Sequence, residues 1–171
     1  YNNLITPDTI KLLGPKYALL RKDFSRNRET GVHSGSINRV LVFFGGSDLE
    51  NLTAIAIKAL TKSKLKHLLV DVVIGSANPN QYVLKKEIAK YPNINLHIQV
   101  DNIWELMKEA DISLGSGGIT TWERMSMGLP SIVVTVAENQ VDSIKNLDRD
   151  NYLTWIGNAD QIDENIIYRE V

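Results

Sequence analysis

Thr120 and Glu123 stand three residues apart, just behind Gly115-Ser116-Gly117-Gly118. That spacing puts a hydroxyl and a carboxylate on one face of a helix expected over Ile119–Met127 and stopped by Gly128 and Pro130. The small residues let a bulky group approach the backbone closely. The first N–H groups of a helix lack partners and carry partial positive charge, so the place suits an anion. An anion cradle beside a carboxylate suggests a nucleotide, with phosphate on the turn and ribose hydroxyls on Glu123. A plain strand–turn–helix crossover would look the same locally, because glycine turns are weakly specific. Glu123 could then simply be a surface carboxylate paired with a Lys or Arg.

Other chemistries are excluded. There is no cysteine, which removes disulfides, thiolate catalysis and cysteine metal sites. His33, His67 and His97 are scattered without metal-ligand spacing. A net charge of −1 implies no polyanion, so no nucleic-acid partner is expected. No apolar run approaches a bilayer span, so no membrane insertion is expected. The opening Tyr1-Asn2-Asn3-Leu4 has neither a methionine nor a signal-peptide pattern. It reads as the middle of a longer chain, and the expected compartment is the cytoplasm.

The elements that must position the turn follow along the chain. Residues 1–38 are irregular, with a polar Gly/Ser-bearing stretch over Arg26–Ser36, and read as a connection from an absent upstream region. Strands are expected over Arg39–Phe44, Leu68–Ile74, Ile94–Val100, Asp111–Leu114, Ser131–Val136 and Leu153–Ile156. Between and after them the spacing predicts helices over Leu49–Thr61, Gln81–Tyr91, Ile103–Glu109, Ile119–Met127, around Val141–Leu147, and over Ile162–Tyr168. Ser47 and Glu50 fit a capping box for the first of these, and Asp101-Asn102 can cap the third. Strands alternating with helices predict an α/β fold, a doubly wound parallel six-stranded Rossmann-like sheet in the order 3-2-1-4-5-6.

In that order strands one and four lie side by side at the switch point. Gly45-Gly46-Ser47-Asp48 and Gly115–Gly118 then face each other across one crevice, where open sheets bind ligands. The first turn is not G-x-G-x-x-G and no acid closes strand two, since Asp71 lies inside it, which disfavours a dinucleotide. No Gly-Lys-Ser/Thr occurs, which excludes a P-loop. Val100, at the same edge, could offer its backbone to a base. Asn139 and Gln140, after strand five, could donate amide hydrogens to a phosphate or sugar, and Asn139 could equally cap a helix.

Residues 14–21 (GPKYALLR), Gly45–Asp48, Ala110-Asp111-Ile112, residues 117–123 (GGITTWE), Gly128-Leu129-Pro130 and Glu138-Asn139-Gln140 occur in an order that resembles the carboxyl-terminal nucleotide-binding domain of GT-B proteins. They look closer to the UDP-sugar hydrolases of pseudaminic acid and spore coat polysaccharide biosynthesis than to the glycosyltransferases of that fold. GGSD and ENQ favour that group over the related N-acetylglucosaminyltransferase. The resemblance implies that Glu123 holds the ribose hydroxyls and that Gly117, Gly118, Ile119 and Thr120 cradle the diphosphate. It implies facing contacts from Gly46 and Ser47, uracil reading by the Val100 backbone, and a loop of Asn139 and Gln140 over the β-phosphate and sugar. The implied ligand is UDP or a UDP-sugar, with no cofactor and no bridging metal. The implied catalytic histidine belongs to an amino-terminal domain missing here. Residues 1–38 would be the linker from that domain and 39–171 the UDP-binding domain, which binds without turnover when alone.

Overall fold

The computed structural model describes residues 4–12, 14–27 and 35–171. His33 and most of the Arg26–Ser36 stretch lie outside the described residues. Six strands form one parallel sheet: β1 (Arg39–Phe43), β2 (Leu69–Ile74), β3 (Ile94–Ile98), β4 (Ile112–Ser116), β5 (Ser131–Thr135) and β6 (Thr154–Asn158). Their spatial order is β3-β2-β1-β4-β5-β6, as the alternation of strands and helices predicts. The apolar central strands are covered on both faces. Val40, Val42, Val70 and Val72 pack under α2 (Leu52–Leu60), α3 (Gln81–Ile88) and α7 (Glu164–Glu170). Leu41 and Val73 point the other way, toward α1 (Lys22–Arg26) and α4 (Ile103–Glu109). Val133 packs under α6 (Glu138–Arg149). Each fully buried aliphatic side chain contributes about 1.5–3 kcal/mol, so the sheet is the rigid body that carries the loops.

Several local readings need correction, and most of those described below lie near the switch point. The strand read as Asp111–Leu114 runs on through Ser116, because Gly115 pairs with Phe43 on one side and Val133 on the other. The turn is therefore Gly117-Gly118, leading into α5 (Thr120–Ser126). The first long helix starts at Leu52, since Asn51 adopts a left-handed backbone at φ 54. Its cap is not the Ser47–Glu50 box. The Asp48 carboxylate accepts from the N–H groups of Leu52 and Thr53, both at 2.9 Å. Neither Asn102 nor Asn139 caps with its side chain: α4 starts after an uncapped Asn102, and Asn139 lies inside α6. The last helix begins at Glu164 rather than Ile162, where Asp163 accepts from Asn165 and Ile166.

The stretch expected to be a connection contains a packed piece. Phe24, on α1, is fully buried against Ile103, Met107, Met127 and Leu129. It ties residues 20–24 to the same face of the sheet as α4.

Candidate functional site

At the carboxyl edge of the sheet a cavity of about 470 Å³ is lined by Arg21, Phe43, Gly46, Val73, Ile74, Gly75, Gln99, Val100, Ile103, Ile119, Thr120 and Glu123. Five of the residues expected from sequence therefore meet there: Gly46, Val100, Ile119, Thr120 and Glu123. Its lining combines apolar side chains from Phe43, Val73, Ile74, Val100 and Ile103 with the polar groups of Arg21, Gln99, Thr120 and Glu123.

The helix α5 sorts its side chains by turn position. Trp122 is half-buried and packs against Val133 and Ile144, Thr121 and Arg124 are buried, and Glu123 is only 3% exposed yet lines the cavity. Glu123 is thus no surface carboxylate. Its Oε1 accepts from Arg21 Nε at 2.9 Å. The Arg21 guanidinium lies 5.0 Å over the Phe24 ring, so the buried aromatic holds the arginine at the rim.

Ahead of α5 the backbone is primed for an acceptor. Gly117 N–H is spent on the Val134 carbonyl at 3.0 Å. The N–H groups of Gly118, Ile119 and Thr120 have no backbone partner among the described residues, and the Thr120 hydroxyl is likewise unengaged. Gly117 has to be glycine because a Cβ there would stand 2.7 Å from Ile144 and 3.2 Å from Gln140 Oε1. Gln140 folds over this turn. Its Oε1 accepts from Val136 N–H at 3.0 Å, while Nε2 faces Gly118.

The facing loop is held by a second glycine contact. Gly75 N–H donates to the Gly46 carbonyl at 3.0 Å. A Cβ on Gly75 would lie 2.6 Å from that oxygen, so the close approach of the β1 and β2 ends depends on its absence. Beyond β3, Gln99 takes a left-handed backbone at φ 55 and turns the chain so that Val100 lines the cavity. Neither the N–H nor the C=O of Val100 has a backbone partner among the described residues. Together they present one donor and one acceptor side by side.

Some expected residues are not gathered. Ser47 lines a separate cavity of about 150 Å³ with Asp48, Leu49 and Glu50. Gly117 and Gly118 lie beside the main cavity rather than in its lining, and Asn139 is exposed on α6. Sequence reasoning passed over Arg21 and Gln99 as site residues. Arg21 closes a quoted motif, GPKYALLR, but its partner is 102 residues away, a distance no local spacing reveals. Among the described residues no group of three or more His, Asp or Glu side chains could hold a metal.

Residues 40–148 match the glycosyltransferase family 28 C-terminal domain. The chain belongs to that family. Among curated proteins, the spore coat polysaccharide biosynthesis protein SpsG of Bacillus subtilis is 29% identical over 158 residues, covering 91% of this chain and 47% of SpsG. The uncharacterized protein MJ1062 of Methanocaldococcus jannaschii is 32% identical over 145 residues, covering 77% of this chain and 28% of that protein. This family 28 domain thus spans about half or less of the relatives it matches. A solved structure of WaaG, a glycosyltransferase involved in lipopolysaccharide biosynthesis, superimposes with a TM-score of 0.59 at 22% identity, over 79% of this chain and 37% of that one. The shared fold is the Rossmann-like half of a GT-B protein. No helix among the described residues is long and apolar enough to cross a membrane.

Proposed function

We propose that this family 28 domain is the UDP-sugar-binding part of a polysaccharide-biosynthetic enzyme. The observation that carries the reading is the meeting of Gly46, Val100, Thr120 and Glu123 on one cavity. In this reading the Glu123 carboxylate accepts from both ribose hydroxyls and replaces its bond to Arg21. The diphosphate takes the N–H groups of Gly118, Ile119 and Thr120 and the Thr120 hydroxyl, with the Gly117 turn beneath it. Gly46 and Ser47 approach from the facing loop, and Asn139 and Gln140 from above the β-phosphate and sugar. The base lies along the apolar wall, pairing with the Val100 N–H and C=O. A backbone donor–acceptor pair fits either uracil or adenine, and the GT-B resemblance selects uracil. Competition between UDP and ADP tests this point: UDP should displace ADP, and equal affinity would remove the uracil assignment while leaving the phosphate one.

For the parent enzyme the reading is hydrolysis of a UDP-sugar, supported by the GGSD and ENQ motifs, while the likeness to SpsG supports a place in polysaccharide biosynthesis. A general base outside residues 39–171 activates water. The donors of this domain stabilise the charge that develops on the departing UDP. No metal is invoked. Residues 1–38 would lead from an amino-terminal domain that carries the base. The family match and the likeness to WaaG favour a second reading, transfer of the sugar to an acceptor through the same half-site. Incubating the full-length parent with UDP-sugar in the absence of acceptor separates them. Stoichiometric release of UDP and free sugar supports hydrolysis, and release only on adding an acceptor supports transfer.

A further inference from the structure

Arg124 is 1% exposed, the most buried charged side chain among the described residues. Its Nη2 donates to the Ser116 carbonyl at 2.8 Å and to the Thr121 hydroxyl at 3.2 Å. Its Nε and Nη1 have no hydrogen-bond partner. No carboxylate bonds to it, since its neighbour Glu123 is turned to Arg21. Such an arrangement is costly. A buried ion loses its hydration, and each idle donor adds a further desolvation cost. An apolar side chain of similar volume would pack the same space at less cost. Burial lowers the Arg124 pKa to about 10, which still leaves it cationic at neutral pH.

Its position supplies a reason. Nη1 lies against Gly115, and a Cβ on that glycine would collide with it and with the Phe43 carbonyl. Gly115 pairs with Phe43, so the guanidinium sits at the junction of β1 and β4, behind the strand ends that carry both glycine turns. The residues lining the cavity carry one cation, Arg21, and one anion, Glu123, which neutralise each other. Arg124 is the unbalanced positive charge behind that wall.

We propose that Arg124 is a positioning residue for the diphosphate. It is a fixed cation that pins the Ser116–Thr121 turn and makes the crevice discriminate phosphate-bearing ligands from neutral nucleosides. This rests on the diphosphate reading of the crevice. A buried cation needs no reorganisation when the anion arrives, and the low local dielectric lengthens its reach.

The test compares UDP and uridine affinities by NMR titration of the wild-type chain and of Arg124→Met, Arg124→Gln and Arg124→Lys. The neutral variants should lose UDP affinity by on the order of tenfold, as for one charge acting through an effective dielectric near 20. Uridine affinity should stay within about twofold, because the phosphate alone senses the charge. Burial depresses a lysine pKa, so Arg124→Lys is titrated at the lowest pH at which it stays folded, where its ammonium is protonated, and there it should hold the UDP-to-uridine ratio within about threefold. The proposal is overturned by unchanged UDP affinity in a folded neutral variant, or by parallel loss of UDP and uridine. If both neutral variants fail to fold, Arg124→Lys at that low pH decides: a ratio collapsed there overturns the proposal and a ratio preserved there supports it. Failure of the wild-type chain to bind UDP would instead remove the diphosphate reading itself.

Discussion

At the scale of single residues, burial and partner decide what each carboxylate does. Glu123 is buried, faces the cavity and is bonded to Arg21, which is half-exposed, so a partner that replaces the arginine must itself donate to the buried carboxylate. Asp71, equally buried, is locked into structure. Arg39 Nε bonds to it at 2.6 Å and His97 Nε2 at 2.7 Å. Burial pushes the Asp71 carboxyl up, but the bonds and charges of Arg39 and His97 together outweigh it and hold the group below its ordinary value of 3.8. A lowered folded pKa means the contribution is complete above that ordinary value and fades as pH falls toward the folded one. Asp71→Asn should therefore lower the urea midpoint at pH 7, by about 1–3 kcal/mol of stability, with the gap to wild type narrowing below pH 4. A gap that widens with acid would contradict this. The shared place of Thr120 and Glu123 on one cavity was legible because the two lie one turn apart in sequence. Arg21 was not, because its role depends on Phe24 docking against the sheet.

At the scale of elements, the switch point is shaped by what glycine permits. β4 extends through Gly115 and Ser116 because it is sandwiched between β1 and β5, and backbone pairing on both sides overrides the turn preference of small residues. The start of α2 is instead set locally. The left-handed Asn51 and the Asp48 carboxylate set it, where a capping box pattern pointed to Ser47. Strand order and the pairing of the two glycine turns were legible, since alternation and handedness constrain them strongly. Helix ends were less so, because caps depend on which side chain the fold brings into reach. The Gly75–Gly46 contact gives an element-scale prediction. Gly75→Ala places a methyl against the Gly46 backbone and should lower stability by about 1–3 kcal/mol, read as a lower denaturant midpoint. It should also weaken UDP binding by shifting the facing loop. A variant with wild-type midpoint and affinity would show that the close approach is unimportant.

At the scale of the molecule, one rigid sheet presents three loops at one edge: the Gly45–Asp48 turn, the Gln99–Val100 bend and the Gly117–Thr120 turn. Membership of glycosyltransferase family 28 accounts for that layout. The central claim is that the crevice binds UDP through Glu123. Its most direct test is a UDP titration of the wild-type chain and of Glu123→Ala, followed by melting temperature. At 100-fold excess over Kd, binding stabilises the folded state by about 2.7 kcal/mol, a rise of about 5–10 °C for a chain of this size. The account predicts that rise for wild type and loss of most of it for Glu123→Ala. No shift with saturating UDP, or the same shift in both proteins, would contradict it.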